Sequence, residues 1–318
     1  MRVPLSLSLH LPSFTYPDVG ADRLFEKVVD IATTCESSGY SGVTVMDHLH
    51  QIPGVGDRTE FMLEGTTTLA GLAARTSRLN LGLLVGGVTY RNPALMAKLT
   101  TTLDMISGGR VFLGIGAAWF EEEHLAYGYE FPPLRDRFVL LEDTLNIARR
   151  MFTQPESSYQ GKRLSIANAL NIPQPLRGDI PILIGGSGER KTLRLVAQYA
   201  DGCNIFGDLE AVRHLLGVLE RHCEDVGRDP AEITKTRMAT IFLADRHEDA
   251  VARLEASSLN ERMRAMAIAG DPDGVGEQVQ ALMDAGVEGL TIRLTDPHDL
   301  EVVARAGETL SPLLGARV

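Results

Sequence analysis

The feature that most constrains this chain is an alternation, repeated eight times, of a short apolar run with a longer amphipathic one. VPLSLSLHL (3–11) precedes ADRLFEKVVDIATTCESSG (21–39), and SGVTVMD (41–47) precedes LEGTTTLAGLAARTS (63–77). LNLGLLV (79–85) precedes PALMAKLTTTLDMISGG (93–109), where Pro93 suits a first helical turn and Gly108-Gly109 an end. RVFLGIG (110–116) precedes FVLLEDTLNIARRMF (138–152), and IPILIGG (180–186) precedes GERKTLRLVAQYA (188–200). DGCNIFG (201–207) precedes LEAVRHLLGVLERHCEDVG (209–227). TRMATIFLA (236–244) precedes a long helical stretch to residue 286, and VEGLTIRL (287–294) a final helix near 299–311. Most of the short runs are continuously apolar, as in a parallel sheet covered on both faces. Eight such units in 318 residues predict an α/β chain with a (β/α)8 TIM barrel, one domain over 1–318. A doubly wound sheet is the other architecture the pattern allows. Residues 153–179 and 245–273 exceed the needs of a barrel and read as insertions, of a kind that commonly covers a barrel's mouth.

Charge narrows the partners. A net charge of -11 argues against nucleic acid, which calls for a basic face. It leaves room for an anionic ligand held by local backbone N–H groups. No apolar run approaches the length of a membrane span, and the alternating N-terminus reads as a strand rather than a signal peptide. Three scattered cysteines without C-x-x-C spacing imply neither a disulfide framework nor a zinc knuckle, which points to the cytoplasm.

Barrels place their chemistry at the C-terminal ends of strands. The first strand ends at His10 and the second at Asp47-His48-Leu49-His50. The third ends at Leu84-Val85-Gly86-Gly87, the fourth at Gly116-Ala117-Ala118-Trp119, and the fifth at Gly185-Gly186-Ser187-Gly188. These ends hold imidazoles, glycines and the chain's one tryptophan, with no carboxylate cluster. GGSGERKT (185–192) is either a phosphate cradle at a helix N-terminus or an ordinary strand-to-helix turn. The H-x-H of His48 and His50 is compatible with the start of a metal site, but His10 is the only other histidine well placed, so no metal is assigned. Trp119 either stacks on a planar ligand or packs beneath a loop.

GYSGVTVMDHLHQIP (39–53), LNLGLLVGGVTYRNPALMAKLTTTLDMISGGRVFLGIGAAWFEEEH (79–124) and PILIGGSGERKTLRLVAQYADGCNIFG (181–207), in this order and spacing, resemble the bacterial luciferase-like monooxygenase superfamily. The resemblance is closer to its F420-dependent oxidoreductases of actinobacteria and covers essentially the whole chain. It implies a TIM barrel, usually a homodimer, and a non-prolyl cis peptide at Leu84–Val85 behind the cofactor ring. It also implies that Asp47 and His48 face the ring, with Gly116, Ala117, Gly185, Gly186 and Ser187 around the cofactor phosphate. Where sugar-phosphate dehydrogenases of the family carry an acid in the fourth-strand turn, this chain has Trp119, and no basic pair for a substrate phosphate is apparent.

The reading that follows is an F420-dependent oxidoreductase moving a hydride between deazaflavin C5 and a small, apolar or aromatic substrate. His48 would be the proton donor or acceptor, and Asp47 would orient it or contact the ring. Arg58, Arg91, Lys162 and Arg163 are rim candidates for a polyanionic cofactor tail. The alternative is a monooxygenase using reduced FMN. Less favoured are a metallohydrolase on His48 and His50 and a non-catalytic F420 carrier.

Overall fold

The computed structural model describes residues 1–315. Its barrel strands are β1 (Leu7–Leu11), β2 (Gly42–Val45), β3 (Asn80–Leu83), β4 (Leu113–Gly116), β5 (Ile182–Gly185), β6 (Gly202–Ile205), β7 (Thr234–Leu243) and β8 (Gly289–Leu294). All pair in parallel in the order β3-β2-β1-β8-β7-β6-β5-β4. Past β3 the chain crosses the cis peptide Leu84–Val85, the bond the resemblance implied. It then resumes as Gly86–Gly87, which pairs with β4. A parallel bridge from Leu81 to Val111 brings β3 and β4 together, so the ring nearly closes as a TIM barrel.

Strand alternation decides which side chains meet inside. On β1, Leu7, Leu9 and Leu11 point outward and are fully buried against the helices, while Ser8 and His10 point inward. Several inward positions are polar and hydrogen-bond one another. Ser8 Oγ donates to Thr291 Oγ1 at 3.0 Å, and Asn204 Nδ2 donates to Thr236 Oγ1 at 2.9 Å. His10 Nδ1 meets Thr44 Oγ1 at 3.0 Å. The main apolar core therefore lies between strands and helices.

Local chemistry sets the helix ends. Asn92 Oδ1 accepts from Ala94 and Leu95 N–H, Pro93 takes the first position, and Gly108 closes Pro93–Ser107 in the left-handed region (φ 69°). Asp208 caps Leu209–Val226 in the same manner.

Two expectations need correction. The long helix to residue 286 is broken into His247–Ala256, Glu261–Ala265 and Pro272–Asp284, with a strand Ile268–Gly270 added in parallel to β7. Asp271 caps the helix that Pro272 opens, so Asp271-Pro272 marks a fresh start rather than an interior. Residues 153–179 do form strands, the antiparallel hairpin Glu156–Gln160 and Ser165–Leu170. That hairpin is tied to the outer helix Leu134–Thr153 by Asp143, which accepts from Lys162, Arg163 and Leu164 N–H, and it does not line the mouth. A short helix, Glu121–Ala126, lies where no element was expected.

Glycine spacing supplies a test. A Cβ on Gly114 would fall 1.9 Å from the Leu83 carbonyl oxygen, a backbone atom that cannot step aside. A Cβ on Gly217, inside a helix, would meet nothing nearer than 3.7 Å. Gly114→Ala should cost about 3 kcal/mol or more, whereas Gly217→Ala should add about 0.5–1 kcal/mol. Urea melts of the two variants check the contrast.

Candidate functional site

A cavity of about 440 Å³ opens at the C-terminal ends of the strands, within the range of small-molecule sites. Of the residues expected there, Asp47, His48, Leu84, Val85, Gly116 and Ala117 line it, as do Trp119, Gly185 and Gly186. Ser187 and Gly188 do not. Ser187 Oγ donates to the Phe206 carbonyl at 3.1 Å and accepts from Phe206 N–H at 2.8 Å, so it pins two loops together. The helix beyond begins only at Thr192, which is itself at the cavity wall.

Val85 projects from the cis bend toward two glycines. A Cβ on Gly185 would lie 2.8 Å from Val85 Cγ1, and one on Gly116 3.0 Å from Cγ2. Only glycine lets the backbone of β4 and β5 come so close to this side chain. One side of the cavity is consequently a smooth apolar surface backed by main chain.

Another part of the cavity is polar, and it is organised by a carboxylate that sequence reading missed. Glu123, on the short helix Glu121–Ala126, is fully buried. Its Oε2 pairs with His48 Nδ1 at 2.9 Å, and its Oε1 accepts from Leu49 N–H at 2.5 Å and His50 N–H at 3.1 Å. The Tyr90 hydroxyl also donates to Oε2. Burial works against ionisation here, but hydrogen bonds from His48, Tyr90 and His50 outweigh it and hold the carboxyl at about 2. Burial and Glu123 together push the Tyr90 phenol up, so it stays a donor. Facing an ionised oxygen, His48 Nδ1 carries the proton, which leaves Nε2 as the nitrogen available to a ligand. The His48 ring meets Trp119 and Phe120 edge-on, at centroid distances of 5.6 and 5.8 Å.

Asp47 does not orient His48, contrary to one of its two expected roles. Its two oxygens accept from Arg91 Nη1 and Nη2, each at 2.7 Å, and Oδ2 also accepts from Gly87 N–H at 3.0 Å. Arg91 Nη2 reaches Glu64 Oε1 as well, at 2.5 Å. Burial raises the Asp47 carboxyl above its ordinary value, with Arg91 opposing. Glu64 is held down at about 2: its burial is outweighed by hydrogen bonds from Thr67, Thr66 and Arg91.

The other rim candidates are spent on acids. Arg58 pairs with Glu122 at 3.4 Å, Lys162 with Glu142 at 3.5 Å and Arg163 with Asp136 at 3.3 Å. His50 turns away from the cavity, with Nδ1 donating to the Gln51 carbonyl at 3.0 Å. Among the described residues no three His, Cys, Asp or Glu side chains converge on a metal-sized site. The second insertion does reach the cavity, through Met263 and Met266. So does Arg293 of β8, which sequence reading passed over. Among the described residues no helix is long and apolar enough to cross a membrane.

Residues 7–260 match the profile of the luciferase-like monooxygenase family. The chain belongs to that family. The luciferase-like chain is 32% identical over 184 residues to an uncharacterized protein of Mycobacterium tuberculosis, covering 54% of this chain and 64% of that protein. It thus spans less than two thirds of that relative's length. It is 28% identical over 302 residues to an F420-dependent glucose-6-phosphate dehydrogenase of Nocardia farcinica, covering 83% and 86% of the two chains. Among solved structures, it superimposes on an F420-dependent secondary alcohol dehydrogenase with a TM-score of 0.83, 16% identity and coverage of 99% of each chain. The EDTA monooxygenase of Chelativorans sp. BNC1 gives 0.83 at 16% identity, covering 99% and 94%. At such identities the structural matches speak to the fold.

Glu123 gives the second prediction. Its carboxyl lies near 2 folded against an ordinary value of 4.5, so its pairing stabilises fully above 4.5 and is lost as pH falls toward 2. Glu123→Gln should destabilise the protein at neutral pH by about 2–3 kcal/mol. It should also flatten the fall of stability across that acid window, read from denaturant midpoints at successive pH values.

Proposed function

We propose that this chain is an F420-dependent oxidoreductase that exchanges a hydride between the deazaflavin and a small, apolar or aromatic organic molecule. The observation that carries the proposal is the pairing of a smooth wall with a tethered base. Val85, packed against Gly116 and Gly185, faces a cavity into which His48 presents Nε2. That wall suits a planar ring, because a side chain at either glycine would collide with Val85. The residues present therefore fit the cofactor that the resemblance and the F420-dependent relatives suggest.

Leu84, Val85 and the Asp47 side of the cavity would hold the ring. The backbone at Gly116, Ala117, Gly185 and Gly186 would meet its phosphate, with Ser187 and Gly188 shaping that turn from behind. Bound F420 supplies a two-electron hydride carrier at C5. His48 Nε2 gives or takes the proton that charge balance demands at the substrate, while Glu123 fixes the ring's tautomer through Nδ1. Arg91 holds Asp47 as a carboxylate at the base of this wall. Trp119, 59% exposed at the rim, would shield the reacting face from water. The resemblance adds a homodimer to this reading, and the three unpaired cysteines add a cytoplasmic setting.

A specific observation favours a second reading, the monooxygenase that uses reduced FMN. Arg58, Arg91, Lys162 and Arg163 each have an acid beside them, which reduces the positive charge offered to a polyanionic tail that F420 has and FMN lacks.

Fluorescence titration of the apoprotein with each cofactor separates the two. Tight F420 binding with weak FMN binding is expected, and the reverse overturns the proposal. His48→Ala should lower turnover about 100-fold or more while leaving the F420 dissociation constant nearly unchanged. Unaltered turnover would remove His48 from proton transfer, and F420 binding without turnover of any substrate would mark a carrier.

A further inference from the structure

Arg293 is a half-buried guanidinium on the wall of the cavity. On β8, Thr291 points inward, bonded to Ser8 and Asn204, so two residues on Arg293 points inward too. Its register partner on β7 is Thr240, and His10 of β1 is close enough to feel its charge. It lines the cavity, yet among the described residues no carboxylate or carbonyl oxygen pairs with it. Arg137, another guanidinium without an oxygen partner among the described residues, lies outside the cavity with its Cζ 3.8 Å from the centre of the Phe131 ring, while several others end on oxygen. Arg91 meets two carboxylates, Arg149 two more, and Arg237 the carbonyls of Gly207 and Met266. A desolvated cation without an anion is costly, and burial depresses the Arg293 guanidinium below its ordinary value.

The neighbouring groups do not relieve it. Asp47 and Glu64 are engaged by Arg91, and Glu123 by His48, Tyr90 and two backbone amides. His10 is pushed down to about 3 by burial, Arg293 and His48 in turn, so it is neutral and adds no competing charge. The strand order places β8 across the ring from β4, which carries Gly116. Arg293 and Gly116 thus come from strands on opposite sides of the ring.

We propose that Arg293 anchors a carboxylate of the substrate, which makes the substrate class small apolar or aromatic acids. A guanidinium fork matches the two oxygens of a carboxylate in a bidentate pair. Apolar side chains of the same cavity, Met238, Met263 and Met266 among them, would take the hydrocarbon part. The inference deepens the proposed oxidoreductase and rests on it for the word substrate. The anion site itself does not.

The test uses benzoate and benzamide, two aromatic probes of like shape that differ in charge. Each is titrated calorimetrically into the wild-type chain, Arg293→Gln and Arg293→Lys, as apoprotein and again loaded with F420. The wild type should bind benzoate about 10-fold or more tightly than benzamide. Arg293→Gln should abolish that preference with an unaltered F420 dissociation constant, and Arg293→Lys should retain part of it. Equal affinity for the two probes in the wild type overturns the proposal. So does a preference that survives Arg293→Gln. Weakened F420 binding with intact benzoate preference assigns Arg293 to the cofactor instead. If Arg293→Gln does not fold, the wild-type comparison and Arg293→Lys still decide. If F420 fails to bind, the proposed function falls while the apoprotein titrations still judge the anion site.

Discussion

One buried carboxylate holds the polar wall of the cavity together. Glu123 draws donors from the end of β2 (His48, Leu49 and His50) and from the segment after β3 (Tyr90), while sitting on the helix that follows β4. Burying a charge with no exposed surface is tolerable only when its lone pairs are filled, and here four donors fill them. The arrangement also decides chain direction. The amides of Leu49 and His50, which would otherwise continue a β-ladder, turn to Glu123, so β2 stops at Val45 and His48 is presented to the cavity. The tautomer of His48 follows from the same contact.

The barrel is divided by that wall. On β3, β4 and β5 the chain is stripped of side chains where it matters, so main chain and Val85 form a flat boundary. On β8, β1 and β2 it carries Arg293, His10, Asp47 and His48. The floor between them consists of hydroxyl and amide groups that largely spend their hydrogen bonds on each other.

How much of this the sequence disclosed depends on the range of the interaction responsible. Strands announced themselves through continuous apolar runs, and helix limits through Asn92, Pro93 and Gly108, because those signals act within a few residues. The resemblance placed the cis bond. Glu123 was hidden because it sits in an acidic run, Glu121-Glu122-Glu123, that reads as a solvated surface. Its partners lie 73 to 75 residues away for β2, and nothing local specifies them. Arg91 was read as a rim cation for the same reason: its acids are 44 and 27 residues distant. Residues 245–273 were mistaken for continuous helix because a three-residue strand, Ile268–Gly270, is too short to show a period.

Arg293 exposes a further limit of local reading. In GLTIRL the alternation of Thr291 and Arg293 with Ile292 and Leu294 puts both polar residues on one face, but only ring closure makes that face the interior. Its surroundings then invert the lesson of net charge. A chain at -11 repels anions at long range, an effect screened within about 10 Å at ordinary salt. Inside the cavity the dielectric is lower and the nearby acids are already neutralised, so one unpaired guanidinium dominates the local field. The average charge of a protein thus says little about the charge of what it holds: the acidic surface governs approach, and Arg293 governs what stays.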